Sequence, residues 1–268
     1  MTNSSLDIEN KVDLKKLSQL NILLAEDNLL NAKLVSILFA QYNIKLEIAE
    51  NGIEAVTKIK NQPFDIVLMD MEMPVMDGYE ATTMMRQELK NDIPIIALTA
   101  HALPGEREKC LQLGMNDYIP KPINADDLLI SIYNLTCGTK NTFTKISFKK
   151  NVEATVITDK VCNMGYLVEA TRGNKKIIKN IVAVFFKETR AELSSLTDAI
   201  KKTNYTVIND ISHKIKSAFP ILGISILDPV FKEMEQLSNS TSQIGKIEQL
   251  NRRVNIVFNK ARIEMKQK

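Results

Sequence analysis

The sequence predicts an α/β unit built on a doubly wound, five-stranded parallel sheet, followed by an all-α unit, an antiparallel four-helix bundle. Three observations carry this. Short apolar runs alternate with amphipathic stretches from residue 21 to about residue 135, a polar aperiodic stretch follows, and beyond it the apolar stripes keep helical spacing. The predicted organisation is an N-terminal extension over 1–20, the sheet unit over 21–136, a linker over 137–158 and the helical unit over 159–268.

The predicted strands are Ile22-Leu23-Leu24-Ala25, Leu46-Glu47-Ile48-Ala49, Ile66-Val67-Leu68-Met69, Ile95-Ile96-Ala97-Leu98 and Tyr118-Ile119. They are short and mostly apolar, as strands covered by helices on both faces should be. The stretches between and after them, Asn31 to Tyr42, Ile53 to Lys60, Tyr79 to Leu89, Gly105 to Leu113 and Ala125 to Leu135, read as the covering helices. From Cys137 to about Thr158 the chain turns to Lys, Thr, Asn and Ser, with Ile146 and Phe148 able to form a short extended piece. Four stripes follow. Ile177, Ile178, Ile181, Phe185, Leu193, Leu196 and Ile200 mark the first; Ile208, Ile211, Ile215, Phe219 and Leu222 the second. Ile226, Leu227, Val230, Phe231, Met234 and Leu237 mark the third, and Ile247, Leu250, Val254, Phe258, Ala261 and Met265 the fourth.

Bulk properties narrow the function. At 268 residues, 44% of them hydrophobic, the chain has enough material for two cores. No apolar run approaches membrane-spanning length, and the first 20 residues lack a signal-peptide pattern, so the expected setting is cytoplasmic. Cys110, Cys137 and Cys162 are far apart and unpaired in spacing, which fits reduced thiols rather than a disulfide framework or a zinc site. Charge is uneven: residues 1–136 hold 12 Lys and Arg against 20 Asp and Glu, a net of −8, whereas residues 137–268 hold 23 against 12, a net of +11. The asymmetry reads either as two solvated surfaces of opposite sign or as a basic half that docks acidic partners, with nucleic acid the other candidate.

In an open parallel sheet, ligands bind at the carboxyl ends of the strands. The first predicted strand runs into Glu26-Asp27 and the third into Asp70, so three carboxylates converge there. Such crowding calls for a cation, and an all-oxygen donor set favours a hard ion, Mg²⁺ above all. Thr99 at the end of the fourth strand supplies a hydroxyl, and Lys121-Pro122 after the fifth supplies an ammonium. Carboxylates, hydroxyl and ammonium form a phosphoryl site. Transfer through a loose, metaphosphate-like state needs mainly positioning and charge neutralisation. Asp70 is then the nucleophile, Glu26 and Asp27 the metal ligands, and Lys121 and Thr99 the groups that hold the phosphoryl oxygens.

Residues 21–135 resemble the receiver domain of two-component response regulators, a flavodoxin-like fold. The resemblance is carried by Leu24-Ala25-Glu26-Asp27-Asn28, by Leu68-Met69-Asp70-Met71-Glu72-Met73-Pro74-Val75-Met76-Asp77-Gly78, by Ala97-Leu98-Thr99-Ala100 and by Tyr118-Ile119-Pro120-Lys121-Pro122. It implies that the backbone carbonyl of Glu72 also coordinates the metal and that Tyr118 is an aromatic switch, turning inward when Asp70 is phosphorylated. His101, a lone loop histidine two residues past Thr99, is left out of the site.

The second histidine stands in Ser212-His213-Lys214-Ile215-Lys216-Ser217-Ala218-Phe219-Pro220-Ile221-Leu222-Gly223. At about 100° per residue, the stripe Ile208, Ile211, Ile215, Phe219 puts His213 on the solvent side, with Lys216 three residues on along the same exposed face. Residues 159–265 resemble a histidine phosphotransfer domain, in which a histidine is followed by a lysine three residues later and a glycine ten residues later, here His213, Lys216 and Gly223. Tyr166-Leu167 through Gly173-Asn174 and Phe185-Phe186-Lys187-Glu188-Thr189 fit as well. Two departures stand out: Ser217 replaces a glycine, and Pro220 falls inside the predicted helix, where it removes a hydrogen bond to Lys216 and bends the helix.

The pair of resemblances implies phosphorelay signalling: a sensor histidine kinase loads Asp70, His213 takes the phosphoryl group, and the aspartate of a downstream response regulator exchanges it. No kinase ATP-binding signature occurs in these residues. Hybrid sensor kinases end in this same domain pair, so a membrane-bound parent kinase is one origin for the chain, which itself carries no membrane segment. The rival class is a DNA-binding regulator whose basic helical half is the output domain. Against it, no helix-turn-helix with a polar recognition helix stands out, and no nucleic-acid partner is expected. A scaffold without phosphate chemistry is the third class, opposed by the complete acidic site.

Overall fold

A computed structural model describes residues 11–99, 105–138 and 160–266. The chain divides into two compact units, Met1–Lys150 and Asn151–Lys268. The expected linker lies mostly outside the described residues, as does His101.

The first unit opens with α1 (Leu14–Leu17), a single turn capped by Asp13 that the sequence pattern does not predict. Four residues are too few to show a period, yet Leu17 is fully buried. Then β1 (Asn21–Ala25), α2 (Leu29–Ala40), β2 (Lys45–Ala49), α3 (Gly52–Asn61), β3 (Ile66–Asp70), α4 (Gly78–Gln87), β4 (Ile95–Thr99), α5 (Glu106–Gln112), β5 (Asp117–Pro120) and α6 (Ala125–Thr136) alternate. All pairings are parallel, in the order β2-β1-β3-β4-β5, the flavodoxin-like order. β3 and β4 are buried at every position, while edge strand β2 exposes Lys45. Helices begin where an Asx side chain can take up free N–H groups: Asn28, Asn51 and Asn124 cap α2, α3 and α6, and Asp77 forms a capping box with Glu80 on α4. Three of these caps follow strand ends by only a few residues, which turns the chain sharply at the edge where ligands bind.

The second unit holds α7 (Gly165–Ala170), α8 (Lys175–Lys201), α9 (Tyr205–Ala218), a 3₁₀ turn (Phe219–Leu222), α10 (Asp228–Asn239) and α11 (Ile244–Lys266). α9 packs on α8 and α10, and α11 packs on α8 and α10. Most stripe residues read from the sequence are buried, including Ile181, Phe185, Ile215, Phe219, Phe231, Met234, Val254 and Phe258. Phe219 meets Phe185 edge-on at 5.5 Å and lies tilted against Phe231 at 5.6 Å, and Phe185 lies 6.4 Å from Phe258. Such pairs add about 0.5–1.5 kcal/mol each beyond the area they bury. Among the described residues no helix is long and apolar enough to cross a membrane.

Two expectations for the course of this unit do not hold. Ile226 precedes α10 and is 53% exposed, so it does not belong to the third stripe. Pro220 does not bend a continuing helix: α9 ends at Ala218, and Pro220 occupies an early position of the 3₁₀ turn, where its missing N–H has no partner to lose.

Gly223 shows why that position takes glycine. It closes the 3₁₀ turn at φ +65°, and a Cβ there would stand 2.2 Å from the carbonyl oxygen of Asn163. The segment before α7 runs directly over it, with Asn163 N donating to Leu222 O at 2.9 Å.

Candidate functional sites

The site of the first unit lies where β1 and β3, the strands on either side of the topological reversal, end. Glu26 and Asp27 follow β1, Asp70 is the last residue of β3 and Thr99 the last of β4, and Lys121 follows β5. The Lys121 N–H donates to Thr99 O at 2.7 Å, carrying the sheet ladder one step past β5 and setting the ammonium over the cluster. Ligand oxygens of Glu26, Asp27 and Asp70 lie within 4.8 Å of one another. Lys121 Nζ stands 2.6 Å from Asp70 Oδ2 and 2.6 Å from Glu26 Oε2. Thr99 is buried beside them.

Burial drives the electrostatics. It pushes the Asp70 carboxyl up to about 8, with the charge of Glu26 adding to the rise and Lys121 opposing it. Burial also works against the Lys121 ammonium, but Asp70 and Glu26 outweigh it and raise the group above the usual lysine range. The cluster therefore lacks positive charge, and an oxygen-only donor set with one lysine already engaged fits a hard divalent cation such as Mg²⁺.

The backbone around Asp70 explains the Asp77-Gly78 pair. A Cβ at Gly78 would stand 2.3 Å from Asp70 O, so only glycine lets α4 start against the strand end. Glu72 N–H donates to Asp70 Oδ1 at 3.3 Å, which turns the loop back over the carboxylate. Val75 in that loop is 78% exposed and has φ +72°, an unusual conformation for a β-branched residue. Tyr118, on β5, is 6% exposed and packs in the core beside Cys110 and Met115. Burial, with smaller contributions from Cys110 and Glu106, raises its hydroxyl above the ordinary tyrosine value.

His213 is on α9, but it does not point freely into solvent. Its side chain is 18% exposed, and Nδ1 lies 3.4 Å from Glu235 Oε1 on α10. Lys216 is not on an exposed face either. It is 7% exposed, and its Nζ donates to Glu235 Oε2 at 2.9 Å and Oε1 at 3.2 Å. α10 covers this side of α9, so the helical angle of α9 alone misplaces both residues. Burial works against ionisation of Glu235, but the hydrogen bonds from His213 and Lys216 win and hold it below the usual glutamate range. Sequence reasoning does not find Glu235. Its only signal there is an acid beside the buried Met234, 22 residues after the histidine, and nothing local reveals that α10 folds back on α9.

Residues 22–133 match the family described as response regulator receiver domain. Hybrid signal transduction histidine kinase B of Dictyostelium discoideum is 41% identical over 123 residues, covering 41% of this chain and 6% of that protein. Signal transduction histidine-protein kinase BarA of Escherichia coli (strain K12) is 39% identical over 110 residues, covering 41% of this chain and 12% of that protein. The chain thus spans 12% or less of the length of these two curated relatives. Among solved structures, the receiver domain of a sensor histidine kinase from Pseudomonas aeruginosa PAO1, with a magnesium ion coordinated in its active site cleft, is 42% identical, with a TM-score of 0.41 over 44% of this chain and 97% of that one.

Proposed function

We propose, from the premise that residues 22–133 are a response regulator receiver domain homologous to those of hybrid histidine kinases, that this chain is a two-step phosphorelay protein. Asp70 accepts a phosphoryl group from a sensor histidine kinase. His213, on a four-helix histidine phosphotransfer bundle, carries it to or from the aspartate of a downstream response regulator.

The single observation that carries the reading is the placement of Lys121 Nζ 2.6 Å from both Asp70 and Glu26, over three carboxylates whose oxygens lie within 4.8 Å of one another. Glu26, Asp27, Asp70 and the Glu72 carbonyl would hold Mg²⁺, which supplies charge neutralisation for the phosphoryl oxygens. Asp70 attacks phosphorus through a carboxylate oxygen; the new O–P bond replaces the N–P bond of the donor, whose imidazole leaves. Lys121 exchanges its bond to Asp70 for one to a phosphoryl oxygen, and the Thr99 hydroxyl donates to another. Tyr118, the aromatic switch of this reading, lies on β5 beside β4, in register with Ala97, two residues before Thr99. In the second step His213 attacks the phosphorus of the Asp70 acyl phosphate through Nε2, because its Nδ1 faces Glu235; the new N–P bond replaces the O–P bond, and the Asp70 carboxylate leaves.

The expected setting is the cytoplasm, in this chain itself or in the cytoplasmic part of a membrane-bound parent kinase. No nucleic acid takes part.

The test is transfer from a phosphorylated kinase to the full chain, with acid-stable acyl phosphate and acid-labile phosphohistidine assayed separately. Label should appear on Asp70 and then on His213, only with Mg²⁺, and Asp27→Ala should abolish it. Asp70→Asn should block entry from the kinase while His213 still loads from a phosphorylated downstream regulator. Normal loading of Asp70→Asn from the kinase would overturn the order of the relay.

A further inference from the structure

The phosphoryl chemistry leaves a buried side-chain amide that contacts Glu26 unused. Asn31, in the first turn of α2, is 7% exposed among the buried Leu30, Ala32, Leu34 and Val35. An apolar side chain would be the more stable choice there, since a buried amide loses its hydration and has to recover it in hydrogen bonds. Its Nδ2 donates to Glu26 Oε1 at 2.9 Å. A carboxylate only accepts, so the amide must turn its NH₂ toward Glu26.

The Glu26 side chain is itself fully buried, and its two oxygens are held differently. Oε2 faces Lys121 at 2.6 Å, a lysine shared with Asp70 and free to exchange partners when a cation or a phosphoryl group arrives. Oε1 is held from the helix side, by Asn31 Nδ2 and by Asn28 N–H at 3.3 Å. Asn28 caps α2 and Asn31 lies in its first turn, so both donors stand at the start of one helix.

We propose that Asn31 is the positioning residue of the metal site: it fixes Glu26 through Oε1 so that Oε2 is the atom presented to the ion. The inference rests on the reading that Mg²⁺ binds among Glu26, Asp27 and Asp70. Mg²⁺ demands near-ideal octahedral geometry, whereas Ca²⁺ accepts variable geometry, so loss of the anchor penalises Mg²⁺ more than Ca²⁺. Removal of a partner that orients a ligand typically weakens metal binding by about 10–100-fold.

The experiment is an amide NMR titration of the full chain with MgCl₂ and separately with CaCl₂, for wild type, Asn31→Leu and the smaller Asn31→Ala, each first checked for a native metal-free spectrum. Mg²⁺ affinity should fall about tenfold or more in both variants, and Ca²⁺ affinity by clearly less. Unchanged Mg²⁺ affinity in the variants, or equal losses for the two ions, would overturn the positioning role while leaving the metal reading intact. A wild-type chain that binds no Mg²⁺ would remove the metal reading and this inference together.

Discussion

Lys216 Nζ lies 2.9 Å from Glu235 Oε2, and through its other oxygen the same carboxylate reaches 3.4 Å toward His213 Nδ1. One half-buried acid thus joins the proposed phosphoryl carrier to the lysine that the sequence placed beside it. A hydrogen bond from Nδ1–H to the carboxylate sets the tautomer: with the proton on Nδ1, the free lone pair is on Nε2. Glu235→Ala should therefore give a mixture of tautomers, visible in the imidazole ¹⁵N shifts of His213. Loading of His213 from a phosphorylated receiver should slow by about tenfold, the scale of one charge-assisted hydrogen bond. Wild-type shifts showing the proton on Nε2 would sink the assignment.

The raised Asp70 carboxyl makes a statement about stability. Its folded value of about 8 lies above the ordinary 3.8, so between those values the folded chain holds a proton that the unfolded chain has released. Stability then falls as pH rises through this window, and the loss is complete above about pH 8. Asp70→Asn removes the titration. In metal-free buffer the variant should melt higher than wild type by roughly 3 °C or more at pH 8. The gap should shrink toward pH 5, and Mg²⁺ should narrow it by stabilising wild type alone. A gap of constant size from pH 5 to 8 would show that Asp70 does not titrate in that window.

The first site was legible because its residues stand at strand ends. Asp70 and Thr99 close fully buried strands, and the Lys121 N–H extends the β4–β5 ladder, so the sheet alone brings them together. Asn31 was not legible, since a single amide in an apolar helix announces no partner. The second site was half legible. His213, Lys216 and Gly223 could be read by spacing, but their exposure depended on α10 crossing α9, a tertiary fact that the 100° helical angle does not contain. Pro220 was misread for a related reason: the sequence places a proline near the end of a helical pattern without showing that the pattern has already tightened into a 3₁₀ turn.

Two glycines separate backbone conformation from close approach. Gly173 at φ +70° has nothing within 4 Å of the place a Cβ would take, whereas Gly223 at φ +65° would drive its Cβ to 2.2 Å from Asn163 O. Gly173→Ala should lower the stability of the second unit by about 1 kcal/mol, the strain of a left-handed residue alone. Gly223→Ala should cost clearly more, about 3 kcal/mol, because the segment carrying Asn163 must also move. Thermal or urea unfolding of the full chain followed through signals of the second unit measures both, and equal losses would show that Asn163 yields freely.

The burial of Lys216 changes what its removal should do. Residues 137–268 carry 23 Lys and Arg against 12 Asp and Glu, and under the proposed function exposed charges of that excess would steer an acidic receiver face over a screening length of about 8 Å at physiological salt. Lys216 is 7% exposed and neutralised by Glu235, so it contributes little to that long-range field. Under the proposed function its charge would act only at close range, where a phosphoryl group on His213 would compete with Glu235 for the ammonium. Lys216→Met should therefore leave the salt dependence of association with a partner receiver unchanged, while the transfer rate at saturating partner falls. The variant should also lose about 1–3 kcal/mol of stability, because Glu235 is left with one fewer donor in a partly buried place. Rapid-quench transfer at several salt and partner concentrations, with urea unfolding alongside, separates these effects. A flattened salt dependence with an unchanged saturating rate would return Lys216 to the steering surface and remove it from the transfer step.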